Sequence, residues 1–157
     1  MKIRLYRPED IEWIIRCHGV IYAEEYSWDE SFEELVKEIL VKFIQRHDPQ
    51  KERIWIAELD GERVGSIMLV DSGKQVAQLR LLLVEPKARN KGIGKRLIDE
   101  CIDFSKKKNY KKIILWTQSN LSAAHHLYLK AGFKIIKKEP HKSFGHQLIG
   151  ETWESSL

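Results

Sequence analysis

Cysteine is almost missing from this chain: only Cys17 and Cys101 occur among 157 residues. Both fall within apolar patterns of helical period, where a free cysteine usually behaves as a small buried hydrophobe. There is no C-x-x-C pair, so neither a zinc site nor a redox motif is indicated, and no metal is expected. No apolar run approaches the length needed to cross a membrane. The opening residues Met1–Pro8 hold no apolar leader, so a cytoplasmic location is the default expectation. Repeats, linkers and low-complexity stretches are also absent, and a single domain over residues 1–157 is expected. A strong excess of one charge is lacking as well. The net charge of +4, from 27 basic and 23 acidic side chains, is too mild to argue for nucleic acid. The lysines Lys106-Lys107-Lys108 and Lys111-Lys112 lack interleaved aromatics and suit a solvated helix end. Neither a nucleic acid nor a membrane is expected as a partner.

What is present is an ordinary globular composition, 43% hydrophobic and 32% charged, with charge that is unevenly spread. Pro86 to Lys112 holds ten Lys or Arg against three acids, whereas Tyr22 to Glu38 holds seven acids against Lys37 alone. The first region should attract an anion and the second a cation.

The most informative stretch runs from Leu79 to Gly94. An apolar strand, Leu79-Arg80-Leu81-Leu82-Leu83-Val84-Glu85, ends at Pro86. A basic turn follows, Arg89-Asn90-Lys91-Gly92-Ile93-Gly94. A helix then begins, with Leu97, Ile98, Cys101 and Ile102 at helical spacing. This layout aims the N–H groups of a helix start beyond the strand end, where they suit a phosphate. Gly92 and Gly94 allow close backbone approach and a positive φ, and Arg89, Lys91, Lys95 and Arg96 add charge. A P-loop is excluded, because Arg89 stands where its first glycine belongs and Arg96 where its Ser or Thr belongs. A dinucleotide fingerprint is excluded because Leu97 replaces its third glycine. The competing reading is an ordinary strand-to-helix turn with solvated lysines.

Hydrophobic periodicity gives the rest. Lys2 to Tyr6 reads as a strand, and Pro8-Glu9-Asp10 starts a helix carrying Ile11, Ile14, Ile15, His18 and Tyr22. Ser27 to Asp29 is a break. A second helix runs from about Ser31 to Arg46 and ends at His47-Asp48-Pro49. Strands over Arg53–Leu59 and Val64–Val70 flank the hairpin signal Asp60-Gly61. Val76–Val84 reads as a strand buried on both faces. A helix from Gly92 to about Lys107 follows, then a strand over Lys112–Thr117. Ser119-Asn120 is placed to cap a helix from Leu121 to Ala131, with Gly132 after it. Phe133–Lys138 and Gln147–Ser155 complete the strands. The predicted order is β-α-α-β-β-β-α-β-α-β-β. It implies an α/β fold with a mixed, twisted sheet of about seven strands and helices on both faces.

A second segment carries a resemblance: Ile113-Ile114-Leu115-Trp116-Thr117-Gln118-Ser119-Asn120, then Ala123-Ala124, Tyr128 and Ala131-Gly132-Phe133. Together with residues 89–94, which match the pattern Q/R-x-x-G-x-G/A at every defined position, it resembles the GNAT superfamily of acetyl-CoA-dependent N-acetyltransferases. The likeness covers essentially the whole chain and is strongest from Leu79 to Phe133. The run Glu139-Pro140-His141-Lys142-Ser143-Phe144-Gly145-His146, continuing to Gly150 and Thr152-Trp153-Glu154, is similar to the acetyltransferase half of two-domain proteins that join a MarR-like winged helix to a GNAT domain. The winged-helix half has no counterpart in these residues, so no DNA binding is carried over.

The resemblance implies the following roles. The fourth strand splays from the fifth, and acetyl-CoA lies in the gap. Backbone groups of Leu82, Leu83 and Val84 hold the pantetheine and the acetyl carbonyl. The amides of Arg89, Asn90, Lys91, Gly92, Ile93 and Gly94, with Lys95, hold the pyrophosphate. Asn120 touches the pantetheine arm. Tyr128 points its hydroxyl at the sulfur as general acid; the alternative is that it only packs beside Ala124 and Leu127. The implied chemistry is direct attack of a neutral amine on the thioester. Glu85 at the strand end, Glu24 and Glu25 in the loop that roofs the acceptor, and His146 are the candidate bases, each with a plain structural reading beside it. His18, His47 and His125-His126 give no sign of a metal or catalytic role. The acidic, aromatic stretch with Glu24, Glu25 and Trp28 points to a cationic acceptor, such as a polyamine, an amino-acid derivative or a lysine side chain. A homodimer is left open. A domain that binds acetyl-CoA without turnover, as a sensor or interaction module, is the alternative function, and the presence of Tyr128 argues for the enzyme.

Overall fold

Strands of period two and helices of period 3.6 sort into three layers. The computed structural model describes all 157 residues. The elements are β1 (Lys2–Leu5), α1 (Asp10–Tyr26), α2 (Glu30–Arg46), β2 (Arg53–Leu59), β3 (Glu62–Asp71), β4 (Val76–Val84), α3 (Ile93–Lys107), β5 (Lys112–Gln118), α4 (Ser122–Lys130), β6 (Lys134–Ser143) and β7 (His146–Ser156). The strands form one seven-stranded sheet in the order β1-β2-β3-β4-β5-β7-β6. Only β4 and β5 pair in parallel; the other neighbours are antiparallel. The α/β order read from periodicity is the observed one.

Alternation along the strands divides the core between the two faces. Trp55, Ile67, Leu79 and Trp153 pack against Leu97, Ile98, Cys101 and Phe104 of α3 on one face. Ile54, Ile56 and Met68 pack against Trp13 and Ile14 of α1 and Val36, Leu40 and Phe43 of α2 on the other. Burial of each such side chain contributes about 1.5–3 kcal/mol. The start of α1 is tied to the sheet through Asp10, whose buried carboxylate accepts from the Arg7 N–H at 2.6 Å, from Arg4 at 2.8 Å and from Arg63 at 3.2 Å. Asp29 caps α2 by accepting from the Ser31 N–H at 3.0 Å. Asp60 and Gly61, at φ 52° and 81°, make the hairpin turn that their identities predict.

Three expectations need correction. Ser119 and Asn120 do not cap α4: Leu121 occupies the cap position and no side chain caps the helix. The Gln118 carbonyl takes the Leu121 N–H instead, at 3.1 Å, and the His125 ring reaches back to the same carbonyl at 3.0 Å. A 3-10 turn over Pro86–Ala88 precedes the basic loop. The last two strands run further than predicted and join at Phe144-Gly145, with φ 56° and 82°. Exposure along β6 hid its extent, since an edge strand facing solvent carries Lys and Pro rather than an alternating apolar set.

The feature that shapes the site lies in β4. Arg80 pairs with Met68 and Leu83 with Ser66, so Leu81 and Leu82 together oppose Ile67. This is a β-bulge. Leu81 absorbs the extra residue at φ 51°, a left-handed conformation that costs a side-chain-bearing residue about 1–2 kcal/mol. The β4–β5 ladder runs from Val76–Lys112 to Leu79–Leu115 and stops there. Beyond the bulge the strands part, and the backbone groups of Leu82–Val84 on the β5 side have no strand partner.

Candidate active site

Two cavities open along this parting. The larger, about 390 Å³, lies between the end of β4, the loop into α3, and α4, and falls within the ordinary size range of ligand sites. Its floor is Leu82, Leu83 and Val84, and its basic end is Arg89, Asn90, Gly92, Ile93, Gly94 and Lys95. The loop reaches the helix through two left-handed residues, Asn90 at φ 64° and Gly92 at φ 78°, which glycine and asparagine tolerate best. The first bond inside α3 is from the Arg96 N–H to the Gly92 carbonyl at 3.1 Å. The N–H groups of Ile93, Gly94 and Lys95 therefore have no helical acceptor, and the helix dipole favours an anion there. Gly94 sets the closeness of α3 to α4: a Cβ at this position would lie 2.7 Å from Cδ1 of Leu127. Leu121, Ala123, Ala124, His126 and Leu127 form the opposite wall.

The side of this cavity facing α1 carries Ile21, Tyr22 and Tyr26. Arg89 makes a bidentate ion pair with Glu25, at 2.9 and 2.5 Å. The pair joins the last turn of α1 to the basic loop.

The smaller cavity, about 140 Å³, sits on the α1–α2 side between the ends of β4 and β5. It shares Tyr22, Leu82, Leu121 and Ala124 with the larger one, so the two meet along those four residues. Its roof is aromatic. Phe144, at the β6–β7 turn, stacks on Trp28 with centroids 4.7 Å apart and meets Phe32 edge-on at 5.0 Å. The same turn is fixed by the Asp29 N–H donating to the Phe144 carbonyl at 3.1 Å and by His146 Nε2 donating to the Ser27 carbonyl at 2.8 Å. Tyr128 lines the inner wall, buried beside Phe133 and Trp153. Burial, then the neighbouring Tyr22 and Cys101, raises its pKa, so the hydroxyl keeps its proton across the working pH range.

His18 also lines the smaller cavity. It is 1% exposed. Its Nδ1 lies 2.7 Å from the Ile14 carbonyl; a carbonyl only accepts, so Nδ1 carries the proton. Nε2 is therefore a bare acceptor, and it is buried without a partner. Burial lowers the pKa of this ring to about 4, against the smaller opposing effect of the Ile14 hydrogen bond. His18 looked like one more residue of the α1 stripe in sequence; the signal available was a lone imidazole within an apolar run.

Several sequence-predicted residues fall elsewhere. Glu85 lines neither cavity. It lies beside Arg63 and Lys87 in a polar cleft near β1, accepts from the Cys17 thiol at 3.6 Å and pairs with Lys87 at 3.5 Å. The end of β4 turns it away from the gap. Burial, then Glu85, pushes Cys17 up to about 11, so that thiol is inert. Asn120 is exposed and Leu121 takes the wall position beside it. Lys91 points to solvent. Glu24 is exposed and Glu25 is held by Arg89, so no carboxylate lines the smaller cavity; Trp28 does line it. The acidic stretch misleads because of helix phase. His18, Tyr22 and Tyr26 recur at i, i+4 and i+8 on the inward face, and Glu24 falls off it.

Comparison with known proteins gives the family. Residues 11–133 match the family described as the acetyltransferase (GNAT) family. An N-acetylaspartate synthetase of Xenopus tropicalis is 34% identical over 88 residues, 55% of this chain and 32% of that protein. The chain thus spans about a third of that relative's length. A spermidine N(1)-acetyltransferase of Escherichia coli K12 is 26% identical over 148 residues, 92% of this chain and 78% of that one. Among solved structures, a ribosomal-protein-alanine N-acetyltransferase of Brucella melitensis superimposes with a TM-score of 0.81 at 18% identity, covering 100% of both chains. A Bacillus anthracis protein assigned as a streptothricin acetyltransferase, in complex with acetyl coenzyme A, superimposes with a TM-score of 0.62 at 29% identity over 68% of this chain and 63% of that one.

Proposed function

The chain belongs to the acetyltransferase (GNAT) family, and from that premise we propose that it moves an acetyl group from acetyl-CoA to a primary amine in a ternary complex, as one catalytic domain. The carrying observation is the pair of cavities that meet at Tyr22, Leu82, Leu121 and Ala124, one on each side of the parted strands. The larger fits a coenzyme A. It has the volume, unbonded helix-start N–H groups and arginine for a diphosphate, and an unpaired strand edge for the two amides of a pantetheine arm. The smaller, 140 Å³, suits a small acceptor. As part of the same proposal we keep the likeness of the β6–β7 region to the acetyltransferase half of MarR–GNAT proteins; it assigns no partner.

Bound acetyl-CoA supplies the activated acyl group as a thioester. The residues of the chain do the rest. Amides of Ile93, Gly94 and Lys95, with Arg89, hold the diphosphate. Leu82–Val84 align the arm through main-chain bonds and present an N–H to the acetyl oxygen, where charge develops. In the transfer a carbon–nitrogen bond forms as the carbon–sulfur bond breaks, and the proton shed by the amine nitrogen passes to water, from which Tyr128 is reprotonated after it has supplied the sulfur. Tyr128 donates its proton toward the departing sulfur. Its raised pKa is matched to a sulfur in the same dry wall, because burial disfavours the thiolate and the phenolate alike. The attacking form is the neutral amine, so kcat/KM rises with pH until the acceptor is deprotonated.

Thiol release from acetyl-CoA in the presence of amines, with calorimetry of acetyl-CoA alone, tests this. Binding with amine-dependent thiol release is the expected result. No affinity for acetyl-CoA refutes the proposal, and binding without turnover of any amine leaves a sensor.

A further inference from the structure

Charge is scarce in the smaller cavity. Of its lining side chains only Arg80 carries a formal charge. Arg80 is the one polar break in the apolar run of β4 after Leu79, and its guanidinium is half-buried on the α1–α2 face. It forms no ion pair and no side-chain hydrogen bond. Burial lowers its pKa. The guanidinium also borders the groove under α2, where Glu38, Glu52 and Asp71 lie. There Glu52 accepts from the Asp48 and Asp71 N–H groups, Asp71 pairs with Lys51 and takes the Gly73 N–H, and Glu38 faces solvent. A half-buried arginine with no protein partner for its guanidinium is complementary to an anion, above all to a carboxylate, which it can meet with two parallel bonds.

The second polar feature has the opposite sense. The Nε2 of His18 is a buried acceptor without a donor. Gln78, Thr117 and Gln118 add uncharged polar edges, Gln118 Oε1 being taken by His141 Nε2 at 2.7 Å, and the rest of the surface is aromatic and aliphatic, with Tyr22, Trp28, Phe32, Leu82 and Phe144. The volume, about 140 Å³, is close to that of an apolar cavity that holds benzene.

We propose that the smaller cavity takes an amine that also carries a carboxylate, a free amino acid with an apolar side chain. Arg80 holds the carboxylate, His18 Nε2 accepts from the amino group, and the aromatic roof covers the side chain. The proposal rests on the acetyl-transfer reading and specifies its acceptor. The two polar groups match the two ends of such a molecule: a donor set for the anion and an acceptor for the nitrogen. A polyamine fits poorly, because a second ammonium would share a desolvated space with Arg80 and no carboxylate. His18 holds the nitrogen in place and does not take its proton, since a ring with so low a pKa is a poor base for an aliphatic amine.

The test uses the full chain with saturating acetyl-CoA and reads thiol release. The acceptors are the common L-amino acids, their carboxamides, the corresponding decarboxylated amines and spermidine. An apolar amino acid should exceed its own carboxamide in kcat/KM by on the order of 100-fold, because a neutral amide gives the half-buried guanidinium of Arg80 no counter-charge and no second acceptor oxygen. Arg80→Gln should bring that ratio close to one through the acceptor KM, with the affinity for acetyl-CoA unchanged; Arg80→Lys should restore only part of it, lacking the planar fork. Carboxamides turned over as well as the acids, a preference for spermidine, or no turnover of any amino acid overturns the inference. The acid-to-amide ratio is measured on the unaltered chain, so it decides even if Arg80→Gln fails to fold. Failure to bind acetyl-CoA brings down the acetyl-transfer reading itself, whereas turnover of amines without regard to a carboxylate brings down this inference alone.

Discussion

The two cavities share four residues and are built on different plans. The larger is walled by side chains of α1 and α4, but its polar recognition groups are main chain: a strand edge without a neighbour, a loop with two left-handed residues, and three helix-start amides, all between Leu82 and Lys95. The smaller is made by side chains that arrive from α1, α2, β4, β5, α4 and the β6–β7 turn. Main-chain recognition suits a constant partner, because any residue supplies an N–H. Side-chain recognition suits a partner that differs from one relative to the next, because each wall can change alone. The names of the relatives fit this division: one is an N-acetylaspartate synthetase and another a spermidine acetyltransferase.

This contrast can be broken by experiment. The largest effect is expected at the inner wall of the smaller cavity. Tyr128→Phe removes the hydroxyl that we propose as the proton donor without changing the packing, and should lower kcat on the order of 1,000-fold with little change in the KM for acetyl-CoA. An unchanged kcat at every pH would reduce Tyr128 to a wall residue.

The next effect separates the cavities by acid. His18 holds a folded pKa of about 4 against an ordinary 6.5, so the unfolded chain binds the proton first. Its contribution to stability is fully present above about pH 6.5. It is lost as pH falls from 6.5 to about 4, by up to roughly 3 kcal/mol in all, and is constant below. Urea unfolding followed across that window should show the slope, and His18→Phe should flatten it. An identical slope in the variant would assign the acid sensitivity elsewhere.

On the other side, Gly92→Val forces a β-branched residue to φ 78°. Acetyl-CoA should bind about tenfold more weakly by calorimetry, at an unchanged acceptor KM; an equal loss on both substrates would mean that the two plans are not separable. The smallest effect concerns the clasp. Glu25→Gln frees Arg89 from its partner. For a pair that is partly exposed, this should tighten acetyl-CoA about two- to fivefold at low salt and less at high salt. Weaker binding would show that Glu25 orients Arg89 instead of competing for it.

The same contrast explains what the sequence disclosed. The loop at Arg89–Gly94 was legible because its geometry is local: glycine spacing, a preceding strand and a following helix fix it. The order of strands and helices was legible for a similar reason, since period and burial agree along each element. The acceptor side was not. Arg80 and His18 come to line one cavity only when six elements pack around them, and no short-range pattern announces that. Glu24 and Glu25 drew attention as a local cluster of charge, yet one more turn of α1 carries them off the inward face. Asn120 missed the wall by one position, because Leu121 and not Asn120 ends the turn into α4.

One residue too many in β4 has a further meaning. Up to the bulge, Ala77 and Leu79 belong to the core beneath α3; beyond it, Leu82 and Val84 pack there. Odd positions hand over to even ones. Deleting Leu81 would let β4 match β3 residue for residue, leaving Leu82 and Val84 on the α3 face but removing the kink that turns the strand end away from β5. The catalytic gap is thus encoded as a miscount between adjacent strands, and shortening the chain by one residue there should harm it more than any single replacement.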